Sequence, residues 1–74
     1  MYNINIFEGM TNTAISAAID EHIYGYRAAR SREILRRKII DGETFEEIAE
    51  AVQLSRRQTQ NIYYSCMEQL RKCL

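Results

Sequence analysis

Two helix-start signals set close together constrain this chain more than any other feature. In the stretch Thr44–Tyr63, TFEEIAEAVQLSRRQTQNIY, Glu47 stands three positions after Thr44, and Gln58 stands three positions after Ser55. Each pair has the form of a capping box. The hydroxyl accepts from an orphan amide of the first helical turn, and the third side chain reaches back to the amide of the cap. Between the two signals, Phe45, Ile48, Ala49 and Val52 recur on one face of a short helix, with Glu46, Glu47 and Glu50 on the other. Acids near that start suit the helix dipole. Only Val52, Gln53 and Leu54 separate the two periodic patterns. A turn that short predicts two helices whose axes cross steeply.

The helix opened by Ser55 runs to about Lys72. Wound at about 100° per residue, it gathers Thr59, Ile62, Tyr63, Cys66, Leu70 and Cys73 within about 100° of arc, a stripe predicted to be buried. Arg57, Gln60, Asn61, Tyr64, Glu68 and Arg71 fall on the opposite arc. Upstream, TNTAISAAIDEHIYGY reads as a first helix, capped by Thr11, Asn12 or Thr13, with Ile15, Ala18, Ile19 and Ile23 in one stripe. Gly25 ends or bends it. RAARSREILRRKIIDG reads as a second helix, with Ile34, Leu35 and Ile39 inward and Gly42 at its stop. Residues 1–10 carry strand-like pieces with nothing to pair with, and read as an arm that docks or stays loose. The fold class that follows is all-α: a small bundle of about four helices over residues 11–74.

Seventy-four residues without proline make one domain at most. A chain of this size hides only about 60% of its unfolded surface, so its core is small. No apolar run approaches the roughly 18 residues of a membrane span, and the N-terminus has no signal-peptide pattern. Both point to a cytoplasmic protein. Cys66 and Cys73 on one helix are about 10 Å apart, too far to bond to each other. Their plain reading is two small apolar residues in the core of a reduced protein. No cofactor or metal site is legible, since one histidine and two cysteines at this spacing do not make a zinc site. No catalytic constellation is visible either, and His22 has no identifiable partner.

Lys and Arg balance Asp and Glu at ten each, so nothing favours bulk attraction to nucleic acid. The charges are nevertheless sorted along the chain. Arg27, Arg30, Arg32, Arg36, Arg37 and Lys38 crowd one segment, acids follow from Asp41 to Glu50, and Arg56 and Arg57 open the last helix. Arginines at a helix start oppose the dipole, whereas the preceding helix has acids there. A local rule broken in this way points to function.

The run from Ser31 to Leu74, and most closely TFEEIAEAVQLSRRQTQNIY, resembles region 4 of the sigma-70-type RNA polymerase sigma factors. It is similar in particular to the small stand-alone region-4-like proteins of phages and prophages of Gram-positive bacteria. The shared pattern is REIL opening a helix, then DGETFEEIAE, then LSRRQTQNI, then a leucine near the end of the last helix. The resemblance implies a helix-turn-helix over about residues 44–72, with 56–72 as the recognition helix in the major groove of double-stranded DNA. Carried over by position, Arg56, Arg57, Gln60 and Asn61 fall where region 4 contacts phosphates and bases, and Thr44 falls beside the backbone. Two positions depart. Gln53 stands where the family often has glycine, and Gln60 stands in place of a basic residue. Nothing here resembles the promoter-melting region, so the likeness is to region 4 alone.

The residue chemistry supports DNA reading independently. Arginine forks onto guanine O6 and N7, and Gln or Asn bonds adenine N6 and N7, each good pair giving about 1–3 kcal/mol of discrimination. Amides at the helix starts after Thr44 and Ser55 suit phosphates. Arg36 and Arg37 add candidate phosphate contacts, and Tyr64 packs on a partner or stacks beside the backbone. The plainer reading of Gln60 and Asn61 is solvated polar surface. A sequence-specific transcription regulator is therefore expected, binding tightly only as a homodimer or with RNA polymerase. The alternative is an interaction module that docks on RNA polymerase or another regulator without reading DNA. A phage packaging-initiation subunit, which also uses a helix-turn-helix, is a third possibility, against which stands the lack of a legible oligomerisation domain.

Overall fold

The computed structural model describes residues 7–73, and these form four helices: α1 (Asn12–His22), α2 (Ala28–Ile39), α3 (Phe45–Val52) and α4 (Arg56–Cys73). The all-α expectation holds. Thr11 is the cap of α1 among its three candidates, its hydroxyl accepting from the Ala14 amide at 3.1 Å. Both predicted capping boxes close. The Glu47 amide donates to Thr44 Oγ1 at 3.1 Å, and the Thr44 amide donates to Glu47 Oε1 at 2.8 Å. The Gln58 amide donates to Ser55 Oγ at 3.1 Å, and the Ser55 amide to Gln58 Oε1 at 3.0 Å. The junction between α3 and α4 is therefore shaped by hydrogen bonds within a few residues of it.

Gln53 is the C-cap of α3 and lies in the left-handed region at φ 60°. A glutamine thus adopts the left-handed backbone that glycine takes more readily. The Gln53 and Leu54 amides both donate to the Ala49 carbonyl, which closes the helix end. Gly42, with φ 73°, serves the stop after α2.

Helices α2 and α4 touch every other helix, while α1 and α3 do not approach each other. The α2–α4 pair is thus the middle of the molecule, flanked by α1 on one side and α3 on the other. Ile15, Ile19, Ile23, Leu35 and Leu70 form the buried cluster on the α1 side. Phe7 completes it, so that part of the predicted arm docks; residues 1–6 lie outside the described residues. Ile34, Ile48 and Thr59 are also fully buried. The Thr59 hydroxyl donates back to the Ser55 carbonyl at 2.9 Å, which satisfies the one buried polar side chain among the described residues.

The predicted stripe of α4 is buried at Thr59 and Leu70 and half-buried at Ile62, Tyr63 and Cys66. Cys73 departs from it and is exposed. The physical reason is length. At 18 residues, α4 outruns the 11, 12 and 8 residues of α1, α2 and α3, so its last turn has less to pack against. No helix among the described residues is long and apolar enough to cross a membrane.

Candidate nucleic-acid interface

The face of α4 turned away from the core exposes Arg57, Asn61, Tyr64, Ser65, Glu68 and Lys72. These recur at helical spacing because Thr59, Cys66 and Leu70 draw the opposite face inward. A shallow, open depression runs along this face, lined by Asn61, Tyr64, Ser65, Glu68, Gln69 and Lys72. Of the predicted site residues, Arg57, Asn61 and Tyr64 share this surface, and Arg56 stands exposed at its start. Gln60 is half-buried, at the edge of the face rather than on it. Thr44 and Ser55 are exposed, with their hydroxyls already engaged in the capping boxes.

The two arginines that open α4 differ. Arg56 Nε lies 3.2 Å from Glu46 Oε2, an ion pair joining α4 to the first turn of α3. Arg57 meets no carboxylate among the described residues. At Tyr64, 59% exposed, the ring is braced from below. It lies 6.0 Å from the Phe45 ring and 5.3 Å from that of Tyr63, while Phe45 and Tyr63 meet edge-on at 5.4 Å. Lys38 Nζ sits 4.5 Å above Phe45, so α2, α3 and α4 meet in one cation–aromatic stack. Burial raises the Tyr63 phenol above its ordinary value, with a further push from Tyr64.

Arg36 and Arg37 are placed differently from the α4 arginines. Arg36 hydrogen-bonds Asp20 and, at 3.1 Å, Ser16 Oγ, which ties α2 to α1. Arg37 binds Glu33 at 2.9 Å and Glu43 at 3.2 Å, and these hydrogen bonds, Glu33 first, hold its guanidinium above the usual arginine value. Both cations are neutralised inside the chain. For Arg36 the sequence could not show this, because Asp20 and Ser16 are a helix away and the rotations of α1 and α2 are set by packing. Glu33, one turn before Arg37 in the same helix, was a legible signal for that residue.

Sequence reasoning also passed over a second surface. Tyr24 and Tyr26, 75% and 90% exposed, flank Gly25 in the turn between α1 and α2. They line a shallow groove with His22, Ser31, Cys66 and Gln69, and that groove shares Ser65 and Gln69 with the depression along α4. Arg27 lies 5.1 Å from the Tyr26 ring and caps α2 in the left-handed region at φ 66°, with no side-chain cap bond. The available signal was that the apolar stripe of α1 ends at Ile23, leaving both tyrosines beyond it. Cys66 faces this groove as a half-buried thiol pushed up by burial, opposed by a hydrogen bond with Ser31. Among the described residues no group of His, Cys, Asp and Glu is arranged to hold a metal ion. Comparison of the chain with family models, with curated proteins and with solved structures finds no match to any of them.

Proposed function

We propose that this chain is a sequence-specific DNA-binding transcription regulator of the helix-turn-helix kind, similar to sigma region 4, that lays α4 in the major groove. The observation that carries the reading is the pairing of Arg57 and Asn61 on the exposed face of α4, directly after a short turn from α3. A helix admitted to the major groove reads base edges from its N-terminal half while the preceding helix braces the backbone. Arg57, with no internal carboxylate among the described residues, is the base-reading candidate, and Asn61 lies one turn on. Tyr64, held by Phe45 and Tyr63, borders them as a rigid aromatic.

A single module of this size buries about 600–1,000 Å² on DNA and binds modestly alone. Tight binding then calls for a second copy or RNA polymerase as co-partner. Selection from random duplexes, with and without polymerase, tests the reading. An enriched motif is expected, and Arg57→Ala is expected to relax one position of it by about 1–3 kcal/mol. Failure to enrich any motif in either arm would overturn it.

A second reading is a module that docks on RNA polymerase or another regulator without touching DNA. The exposed Tyr24 and Tyr26 favour it, since tyrosine is enriched where proteins meet. Polymerase capture that is lost in Tyr26→Ser and unaffected by Arg57→Ala is its signature.

A further inference from the structure

Building on the DNA-binding reading, we propose that Glu46 is an intramolecular competitor for phosphate at Arg56, and so limits how tightly the protein holds DNA of any sequence. Guanidinium forks accept carboxylate and phosphate in the same way, so one arginine cannot serve both fully. Arg56 Nε is 3.2 Å from Glu46 Oε2. Its neighbour Arg57 meets no carboxylate among the described residues. One helix start thus carries an occupied cation beside a vacant one.

Glu46 is not needed for the cap of α3, because Glu47 closes that box with Thr44. The contact that distinguishes it from the other α3 acids is the reach across to α4. The location matters for the proposed binding mode. In a helix-turn-helix on DNA the first helix crosses the backbone while the second enters the groove. A carboxylate linking the starts of the two helices stands where phosphate oxygens would come. Arg56 also opposes the dipole of α4, and Glu46 offsets that cost in the absence of DNA. The pair is exposed at both ends, so it is weak, and a phosphate that also releases counterions displaces it.

The consequence is a protein whose free arginine reads bases while its other arginine engages the backbone only against competition. That arrangement suits a chain of zero net charge, which gains little from indiscriminate attraction.

The test is a double-mutant cycle on the full chain. Wild type, Glu46→Gln, Arg56→Gln and the double variant are titrated with a mixed-sequence duplex at several salt concentrations. Glu46→Gln is expected to tighten binding about two- to five-fold, the scale of an exposed ion pair. Its salt slope is expected to steepen by up to about one phosphate's worth of counterion release. Both gains should shrink in the Arg56→Gln background to the size that removal of one unpaired acid gives. Glu50→Gln, which removes the same charge from the same helix at a position with no ion pair among the described residues, should give a smaller gain. No change in Glu46→Gln, or a gain of equal size when Arg56 is absent, overturns the inference, the latter because long-range repulsion then explains it. If wild type binds no duplex and random selection enriches nothing, the DNA-binding reading falls and takes this inference with it. If wild type binds and the coupling is absent, only the inference falls.

Discussion

The chain turns from α3 into α4 and from α1 into α2 by different means. At the α3–α4 junction the backbone turn is closed from nearby in sequence, by the Ser55–Gln58 box, the left-handed Gln53 and two amides on the Ala49 carbonyl. The exposed Arg56–Glu46 pair adds one contact across the helices. At the α1–α2 junction the cap of α2 is Arg27, which makes no side-chain cap bond. There the Ile23 carbonyl is instead reached by Arg32 Nη1 at 2.6 Å, from a full turn inside the next helix. Asp20 binds Arg36 and lies 3.8 Å from Arg32, which locks α1 to α2. One junction is written locally and the other is held across helices. The arginines differ as well: Arg32, Arg36 and Arg37 of α2 meet carboxylates within the chain, while Arg57 of α4 meets none among the described residues.

The comparison can be broken first through the core that both regions share. Leu70 belongs to α4 yet packs with Ile15, Ile19 and Ile23 of the α1 side. Leu70→Ala is expected to cost about 2–5 kcal/mol by urea unfolding, enough to unfold a domain this small in part. A smaller loss would mean that α1 is held to the molecule by its ion pairs rather than by apolar packing.

Next, the two kinds of junction should respond differently to deletion of one side chain. Arg32→Ala strands the Ile23 carbonyl and removes a charged donor, for an expected loss of about 1.5–3 kcal/mol. Ser55→Ala removes one half of a capping box and is expected to cost about 1 kcal/mol. Equal losses would mean that the α1–α2 turn is as locally specified as its counterpart.

Gln53 probes the locally closed junction through its backbone. Gln53→Gly relieves a left-handed backbone and is expected to gain about 0.5–1 kcal/mol in unfolding free energy. A loss there would show that the glutamine side chain holds the turn in a way its backbone does not reveal.

The smallest effect concerns pH. Burial raises the folded-state value of Tyr63 above its ordinary 10.0, so the neutral phenol favours the fold. That contribution is fully present below the ordinary value and is lost as pH rises through the raised one. Tyr63→Phe should therefore flatten the alkaline loss of stability while changing little at neutral pH. An unaltered alkaline limb would assign the loss to other groups.

Much of the fold was legible because its signals are local. Helix count, both boxes, the stop at Gly42 and the inward residues of α2 and α3 depend on spacing within a turn or two. The outer face of α4 was legible for the same reason, since Thr59 and Leu70 place Arg57 and Asn61 opposite them. What escaped were matters of rotation and reach. Arg36 looked unpaired because the sequence does not say which side of α2 meets Asp20, whereas the Glu33–Arg37 spacing was a local signal. Tyr24 and Tyr26 looked like the end of a helix until Ile23 was seen to close it. The Arg56–Glu46 pair was invisible because it joins side chains on two different helices, and no spacing rule within one helix pairs them.

The amino-acid pattern by itself established that this chain is helical, where α3 and α4 are capped at their starts, and which side of α4 turns outward. Periodicity and hydrogen bonds between near neighbours act before any tertiary contact forms. The tertiary structure decided that Arg36 meets Asp20 and Arg56 meets Glu46, pairs that join different helices, and that Phe7 joins the core. Charge pairing falls off over a few ångströms, so it depends on how helices are rotated against one another, and packing alone sets that rotation.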